Sequence, residues 1–407
     1  MKITAVDTVW NPKWSNFIWV QIQTDEGLVG LGETFRHPTP IIRYIHDHIA
    51  EYLLGKDPLQ VNLHAHTLHT KGGLRFLGYP TRSVEIRANS AIDIALWDLK
   101  SKAAGLSLCD MLGGSVRDKI TIYNTCAGPS YNWKAGLSRA RMAQAGEAAQ
   151  PYDGVPDDLQ TQLDDPASLA QSLIGEGIRA MKIWPFDQAT EKTDGRYISG
   201  RDLNAGLEKV AAIRDAVGED MEIMLEYHSL WQKAPAERIM RAVDQFDPFW
   251  HEDPMSMADI VGLADLRNRV SSPIAGSESH GSAVWFREAF ASNAVDYAHF
   301  DIGWVGGLSE GLKIAHIASA NGRMIAPHDC TGPVVWITNL HLALSQPHAI
   351  FLESVRAFYK GIYKSFVTEL PEIVDGQALA MEGPGLGTQL SAELLEHPDT
   401  QIERSTQ

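Results

Sequence analysis

Alternating apolar and polar residues over the first 35 positions predict strands. Residues 3–10 and 17–23 alternate, and the second run closes into the turn sequence TDEG before a third candidate strand, GLVGLGETF. Helical spacing of apolar residues follows over about 38–70 and again over 85–105. This part of the chain therefore predicts a small antiparallel sheet packed against helices, ending near residue 118.

Beyond residue 118 the pattern changes to short apolar runs, each followed by a helical stretch. Eight such runs occur in order: KITIYNT, AMKIW, EIMLEYH, FWHEDP, PIAGSES, YAHFD, MIAPHD and AIFLES. Alternation of this kind is typical of a parallel barrel in which every strand is followed by a helix. We therefore expect an α/β fold with a TIM-like (β/α)8 barrel.

The domain organisation follows from these two patterns. Residues 1–118 are predicted to form one domain and residues 119–371 the barrel, while the turn-rich tail from about 372 to 407 is expected to pack back on the first domain. Residues 127–168 are polar and rich in Gly, Pro, Asp and Gln, which predicts an insertion after the first barrel strand. This insertion could be a lid that supplies Tyr131, Arg139 or Arg141, or it could be an oligomer contact.

Composition and charge narrow the set of partners and the compartment. The 407-residue chain has a net charge of −16, whereas nucleic acid and anionic membranes require a basic face. We expect neither as a partner. The cysteines, Cys109, Cys126 and Cys330, form no CxxC pair, and the chain has no run of about 18 apolar residues. With no signal peptide evident, these features favour a cytoplasmic location.

Each barrel strand candidate from the second to the eighth ends with polar residues. These residues are Lys182, Glu226 with His228, Glu252, Glu278, Asp301, His328 and Glu353. From Glu226 onward the strand-end positions lie 23 to 27 residues apart, close to the length of one strand-helix unit when about 250 residues make eight units. We therefore expect all these side chains at one rim of the barrel.

Three acids from successive strands are expected to share a cation, because like charges at close range oppose one another. Oxygen ligands select Mg²⁺ over zinc, so Glu226, Glu252 and Glu278 are candidate metal ligands. Asp301 and His328 end neighbouring strands and could form a dyad in which the carboxylate orients a general base. The histidines His251, His299, His316 and His341 are interpreted as structural.

An ordered series of motifs resembles the mandelate racemase-like branch of the enolase superfamily over nearly the whole chain. The motifs are GLVGLGET, AIDIALWDLKSKAAG, LGGSVRDK, HEDP, the WVGG after Asp301, APH and the closing DG…GPGLG. The resemblance implies an α+β N-terminal capping domain over a modified (β/α)8 barrel. It also implies abstraction of an α-proton, with Mg²⁺ stabilising the enediolate.

The same resemblance assigns roles to individual residues. Glu226, Glu252 and Glu278 match the metal ligands, although Glu226 stands where aspartate is usual, and His328 with Asp301 matches the base. Glu353 matches the acid that hydrogen-bonds the substrate carboxylate.

Two positions differ from the racemases of the family. Trp184 replaces one of two lysines in the motif at Lys182, which disfavours a two-base racemase, and Lys182 itself could polarise the carboxylate or form an ion pair. His228 follows Glu226 by two residues, and strand alternation predicts that both lie on the same side of the strand. It matches the acid that expels the β-hydroxyl in sugar-acid dehydratases of the galactonate dehydratase type.

The expected function is therefore Mg²⁺-dependent dehydration of an aldonate-type sugar acid to a 2-keto-3-deoxy acid. A cycloisomerase of a sugar lactone or anhydro sugar acid is the alternative, followed by an epimerase and then by a non-catalytic relative. Further contacts with this small-molecule carboxylate are expected from the cap and the barrel rim, namely Arg75, Tyr79, Arg82, Trp184 and Trp304. The resemblance also implies a homo-oligomer.

Overall fold

The computed structural model describes residues 1–70, 83–133 and 154–407. In these ranges the strands are β1 (Ile3–Trp10), β2 (Phe17–Thr24), β3 (Val29–Phe35), β4 (Lys119–Thr125), β5 (Ala180–Ile183), β6 (Glu222–Glu226), β7 (Trp250–Glu252), β8 (Ile274–Gly276), β9 (Tyr297–Ala298), β10 (Met324–Ile325), β11 (Leu352–Ser354), β12 (Ile373–Val374), β13 (Gln377–Leu379) and β14 (Gln401–Thr406).

Helices connect most of these strands. The α-helices of the described ranges are Pro38–Tyr44, Ala50–Leu53, Val61–His69, Glu85–Ala104, Leu108–Met111, Asp158–Asp164, Pro166–Gly175, Asp187–Thr190, Gly200–Val217, Lys233–Val243, Ile260–Arg267, Ala283–Ala291, Ile302–Val305, Leu308–Ala320, Pro333–Ser345, Arg356–Tyr359, Tyr363–Phe366 and Ala392–Leu395. In the described part of the chain, none is both long and apolar enough to cross a lipid bilayer.

The N-terminal domain is an antiparallel sheet of four strands in the order β14-β1-β2-β3, covered by the helix Glu85–Ala104. Two glycines of β3 allow the close approach of that helix. A Cβ atom at Gly30 would lie 2.2 Å from the carbonyl oxygen of Ala95, and one at Gly32 would lie 1.9 Å from that of Ala91. The GLVGLGE pattern therefore reflects packing of the strand directly on the helix backbone.

The C-terminal tail divides between the two domains. β13 pairs antiparallel with the first barrel strand, β4, and β12 pairs with β13. Only the last strand, β14, pairs with β1 of the N-terminal sheet. The segment from 372 to 407 thus begins on the barrel and ends on the cap, rather than packing on the cap throughout.

The barrel contains all eight strands that the apolar runs predict. β4 to β10 pair in parallel in sequence order. β11 pairs in parallel with β4, and a bridge between Ile325 and Ala349 connects the last two strands. A parallel barrel closed in this way, under an α+β cap, confirms the predicted α/β fold class.

Candidate active site at the carboxyl ends of the barrel strands

The polar side chains that follow the barrel strands meet at one end of the barrel. Lys182 lies in β5, Glu226 and Glu252 are the last residues of β6 and β7, and Glu353 lies in β11. Glu278, Asp301 and His328 come just after β8, β9 and β10. Parallel strands bring these positions together because their carboxyl ends share one face of the barrel, where barrel active sites lie.

Glu226, Glu252 and Glu278 form a carboxylate triad whose ligand oxygens all lie within 4.8 Å of one another. Burial and the adjacent Glu252 raise the pKa of Glu226 well above its ordinary value. Burial also acts to raise the pKa of Glu278. The positive charge of His328 and His228 has the larger effect, however, and holds that pKa below its ordinary value. A cluster of acids this close is stable only with compensating positive charge.

The triad fits a hard divalent cation. Its donors are all carboxylate oxygens, which Mg²⁺ prefers. Among the described residues, Oε2 of Glu226 is buried and accepts no hydrogen bond, and the nearest cation to it, Nζ of Lys182, is 3.6 Å away. Glu226, Glu252 and Glu278 could therefore hold Mg²⁺.

Lys182 lies at the centre of the acidic cluster. Its Nζ is 2.6 Å from Oε1 of Glu252 and 2.8 Å from Oε1 of Glu353. Burial acts to lower the pKa of Lys182, but the carboxylates around it, Glu252 first, raise that pKa well above its ordinary value. Of the two roles left open by the sequence, the ion pair is the one that these distances show.

His328 and Asp301 form the dyad that their strands predict. Nδ1 of His328 lies 2.8 Å from Oδ2 of Asp301, which also accepts from the hydroxyl of Thr331 at 2.8 Å. Nε2, on the opposite edge of the ring, lies 2.6 Å from Oε2 of Glu278. Because Asp301 engages Nδ1, Nε2 is the nitrogen that faces the carboxylate triad.

Glu353 accepts hydrogen bonds from several directions. Its oxygens accept hydrogen bonds from the hydroxyl of Thr125, from the ammonium group of Lys182 at 2.8 Å and from the backbone N–H of Asp329 at 2.9 Å. Burial acts to raise the pKa of Glu353, but Lys182 and His328 lower it to about 2. These donors fix the Glu353 carboxylate beside Lys182, at the rim where the other polar side chains meet.

His299 is a second histidine inside the cluster, although the sequence analysis treated it as structural. Its Nε2 lies 3.0 Å from Oε1 of Glu252 and 3.4 Å from Oε2 of Glu353, while Nδ1 faces the carbonyl of Ala326. Burial acts to lower the pKa of His299, but Glu252 and Glu353 raise it to about 9. His299 is therefore a buried ring that lies between two of the acids, and these acids favour its protonated form.

His228 reaches the same site by a route that strand alternation does not describe. β6 ends at Glu226, and His228 adopts a left-handed backbone with a φ of 52°. Its N–H donates to Oε1 of Glu226, and its Nδ1 lies 2.8 Å from Oδ2 of Asp187. The expectation that His228 shares a strand face with Glu226 is wrong, because the residue lies in the turn beyond the strand.

Aromatic rings enclose two sides of the site. The ring of Trp184 meets that of His228 edge to face at 5.6 Å and contacts Tyr131 at 5.8 Å. The ring of Trp304 lies 5.1 Å from that of His328, and the guanidinium carbon of Arg87 lies 4.2 Å from the Trp304 ring centroid. Both tryptophans therefore flank the histidines.

The proposed cap contacts Arg75, Tyr79 and Arg82 lie outside the described residues, as do Arg139 and Arg141 of the insertion. Within the described part, the site also contains His299 and Asp187, which were not predicted as site residues from the sequence. A signal existed for His299, because it stands two residues before Asp301 and residues two apart on an extended chain share a face. Asp187 gave no such signal, since its partner His228 comes from a different strand-helix unit.

An eight-stranded parallel barrel under an antiparallel cap, with acids and histidines at its strand ends, defines the enolase class of folds. Residues 3–113 match the mandelate racemase / muconate lactonizing enzyme N-terminal domain, and residues 165–394 match the enolase C-terminal domain-like family. The chain belongs to the mandelate racemase / muconate lactonizing enzyme family, which confirms the resemblance drawn from the sequence.

Individual relatives cover almost the whole chain. The D-galactonate dehydratase of Pectobacterium atrosepticum is 28% identical over 422 residues, spanning 100% of this chain and 94% of that protein. The D-gluconate dehydratase of Thermoproteus tenax is 26% identical, spanning 94% of this chain and 70% of that protein. A crystal structure of an enolase of the mandelate racemase subgroup from Agrobacterium tumefaciens is 40% identical with a TM-score of 0.86, covering 100% of this chain and 99% of that one.

Proposed function

We propose that the protein is a Mg²⁺-dependent hydro-lyase that dehydrates an aldonate-type sugar acid to a 2-keto-3-deoxy acid. The observation that carries the proposal is the pair of histidines beside the carboxylate triad. His328 lies 2.6 Å from Glu278 and the backbone N–H of His228 donates to Glu226, and each ring has an aspartate 2.8 Å from its Nδ1. Dehydration requires a base for the α-proton and an acid for the leaving hydroxyl. Relatives named D-galactonate and D-gluconate dehydratase support the same reaction class.

The base in this proposal is His328. Asp301 holds the Nδ1 proton at 2.8 Å, so Nε2 is the atom that takes the α-proton. Glu226, Glu252 and Glu278 would hold Mg²⁺, which when bound stabilises negative charge on the substrate carboxylate. Lys182, held by Glu252 and Glu353, places a further positive charge beside it.

His228 is the acid in this proposal, and Trp184 argues against a two-base racemase. Trp184 is buried against His228 and Tyr131 and has no group that could abstract a proton. With one base and one acid, loss of the β-hydroxyl is favoured over inversion at the α-carbon.

The test is a panel of aldonates, other sugar acids and their lactones incubated with the protein and Mg²⁺ in D₂O. We expect one sugar acid to give a 2-keto-3-deoxy product lighter by one water, identified by mass spectrometry and NMR. An isomeric product would assign a cycloisomerase or epimerase. Absence of both turnover and deuterium at every α-carbon would contradict the proposal.

Replacing the proposed base, His328, alongside a matched control variant tests its role directly. His328→Asn should lose both product formation and α-deuterium exchange while it still binds Mg²⁺, since general base catalysis contributes about 10²–10⁴-fold to rate and all three ligand candidates are unchanged. His66→Asn, at an exposed histidine of the cap, should match the unmodified protein. Analytical ultracentrifugation tests the accompanying prediction of a homo-oligomer.

A further inference from the structure

A second Asp–His pair lies in the site, and it involves a residue that the proposed chemistry has not used. Asp187 begins the short helix Asp187–Thr190 after β5, and His228 lies in the turn after β6. Oδ2 of Asp187 and Nδ1 of His228 are 2.8 Å apart. The Asp301–His328 pair is joined through the same atoms, Oδ2 and Nδ1, at the same 2.8 Å.

The local backbone holds His228 in a conformation that a histidine seldom adopts. His228 and Ser229 have φ values of 52° and 57°, in the left-handed region that favours glycine. Two contacts maintain it: the N–H of His228 donates to Glu226, and the N–H of Ser229 donates to the carbonyl of Asp253 at 2.7 Å. Such conformations persist where surrounding contacts over-determine them, and they cluster at functional sites.

The surroundings of the pair restrict the ring further. The side chains of His228 and Asp187 are only 17% and 11% exposed. The edge-to-face contact with Trp184, at an interplanar angle of 81°, fixes the ring plane from another side. A carboxylate at Nδ1 and an aromatic wall together fix both the direction and the tautomer of the imidazole.

We propose that Asp187 is the positioning residue for His228: it accepts the Nδ1–H, so that Nε2 is the nitrogen that gains and gives up the proton passed to the leaving hydroxyl. This inference rests on the proposed dehydration. In that reaction the α C–H bond breaks and its proton passes to His328. The bond between the β-carbon and its oxygen breaks with both electrons going to oxygen. That oxygen takes the Nε2 proton of the doubly protonated His228 ring and leaves as water, and the ring is left neutral with its remaining proton on Nδ1. The electrons of the α C–H bond form the carbon–carbon double bond of the enol, which ketonises.

The first experiment needs no substrate. Nitrogen NMR of histidine-labelled protein, with the His228 signals assigned by the loss of signal in His228→Gln, reports which ring nitrogens bear a proton. We expect Nδ1 to bear a proton in the unmodified protein and in Asp187→Glu, and a smaller Nδ1-protonated population in Asp187→Ala. An unchanged tautomer in Asp187→Ala would overturn the proposal, whatever the substrate of the enzyme.

The second experiment separates the two proton transfers. In D₂O with Mg²⁺ and the sugar acid that the unmodified protein turns over, Asp187→Ala should lower kcat for water loss about 100-fold, within the range that general acid catalysis supplies. Exchange of the α-proton and KM should stay within about threefold, because His328 is untouched. Asp187→Glu should recover part of the rate. Equal loss of exchange and water loss would indicate a merely structural residue and overturn the proposal.

A substrate whose leaving group needs no proton tests most directly whether Asp187 acts through the proton given by His228. With the 3-deoxy-3-fluoro analogue of the same sugar acid, fluoride departs with its electron pair unassisted, so Asp187→Ala should slow elimination no more than about threefold. A loss as large as that for water would contradict the proposal. Asp215→Ala, at an exposed aspartate in the helix Gly200–Val217, is the matched control and should behave as the unmodified protein in every assay. If the unmodified protein neither exchanges the α-proton nor turns over any sugar acid, the proposed function fails while the NMR result still stands.

Discussion

Nε2 of His299 lies 3.0 Å from Oε1 of Glu252, and both side chains are fully buried within the acidic cluster. The other ring nitrogen of His299 faces the carbonyl of Ala326, which can only accept a hydrogen bond. Both nitrogens therefore face oxygen atoms, and the neighbouring carboxylates raise the pKa of the imidazole and so favour its protonated form. The acidic cluster thus contains, besides Lys182, a second side chain whose positive charge its carboxylates favour.

Replacing His299 should destabilise the protein most when no metal ion is bound to the carboxylate triad. His299→Gln leaves buried carboxylates with less compensation, and breaking a buried pair costs about 3–5 kcal/mol. We expect a loss of that order in the free energy of unfolding with EDTA, and a smaller loss in saturating Mg²⁺, measured by urea denaturation. His316→Gln, at an exposed histidine of the same barrel, should show neither effect, and equal losses with and without Mg²⁺ would contradict the prediction.

Removing one carboxylate of the triad should weaken metal binding directly. Glu278 is the most exposed of the three ligand candidates, at 18%, so Glu278→Gln tests the site with the smallest disturbance of folding. We expect Mg²⁺ affinity by calorimetry to fall at least about 100-fold, beyond the 10–100-fold that loss of an outer hydrogen-bond partner costs. Glu288→Gln, at a side chain that is 53% exposed, should bind Mg²⁺ as the unmodified protein does.

The sequence predicted the barrel because its apolar runs recur at one strand-helix period and the polar residue after each run falls at the same rim. Residues in or shortly after a strand, such as Glu252 and Asp301, can be placed in this way. The same period places His228 at the rim, but strand alternation does not describe its conformation, which depends on a left-handed turn.

Contacts between distant units could not be predicted in this way. Asp187 meets His228 across 41 residues of chain only because β5 and β6 are neighbours in the barrel. The charge state of Glu353 likewise depends on donors from four different elements, since Lys182, Thr125, His299 and Asp329 all converge on it. Side-chain convergence of this kind follows from tertiary packing, and a single sequence gives no measure of it.

The close packing of the cap sheet on its helix predicts that replacing a glycine of β3 will destabilise the protein. In Gly32→Ala the new methyl group would meet the backbone carbonyl of Ala91 at 1.9 Å, so strand and helix must separate. We expect a loss of about 1–3 kcal/mol or more in the free energy of unfolding, as for overpacked cores.

A glycine in open space should show the opposite sign. Gly175 is the last residue of the helix Pro166–Gly175, and a methyl group added to it would have no neighbouring atom within 4 Å. Gly175→Ala should therefore stabilise the protein by about 0.4–1 kcal/mol. Chemical denaturation of both variants checks the pair. Equal stability of the two would show that β3 does not require glycine for its approach to the helix.

His341 predicts a pH dependence of stability that is independent of catalysis. It is buried at the junction of cap and barrel, where Nδ1 accepts from the N–H of Cys109 at 3.3 Å, and burial lowers its pKa from 6.5 to about 4. Because the unfolded chain binds a proton near pH 6.5 and the folded one only near pH 4, the stability that His341 contributes is complete above pH 6.5 and is lost as pH falls towards 4.

The size of this effect follows from the shift, since each pKa unit corresponds to about 1.4 kcal/mol and the whole interval therefore to about 3 kcal/mol. His341→Gln removes the titrating group, so the difference in unfolding free energy between neutral pH and pH 4 should shrink by about that amount. Urea denaturation at a series of pH values measures it, with His66→Gln as the exposed control. A variant whose stability falls with acid as steeply as that of the unmodified protein would show that His341 is already protonated in the folded state.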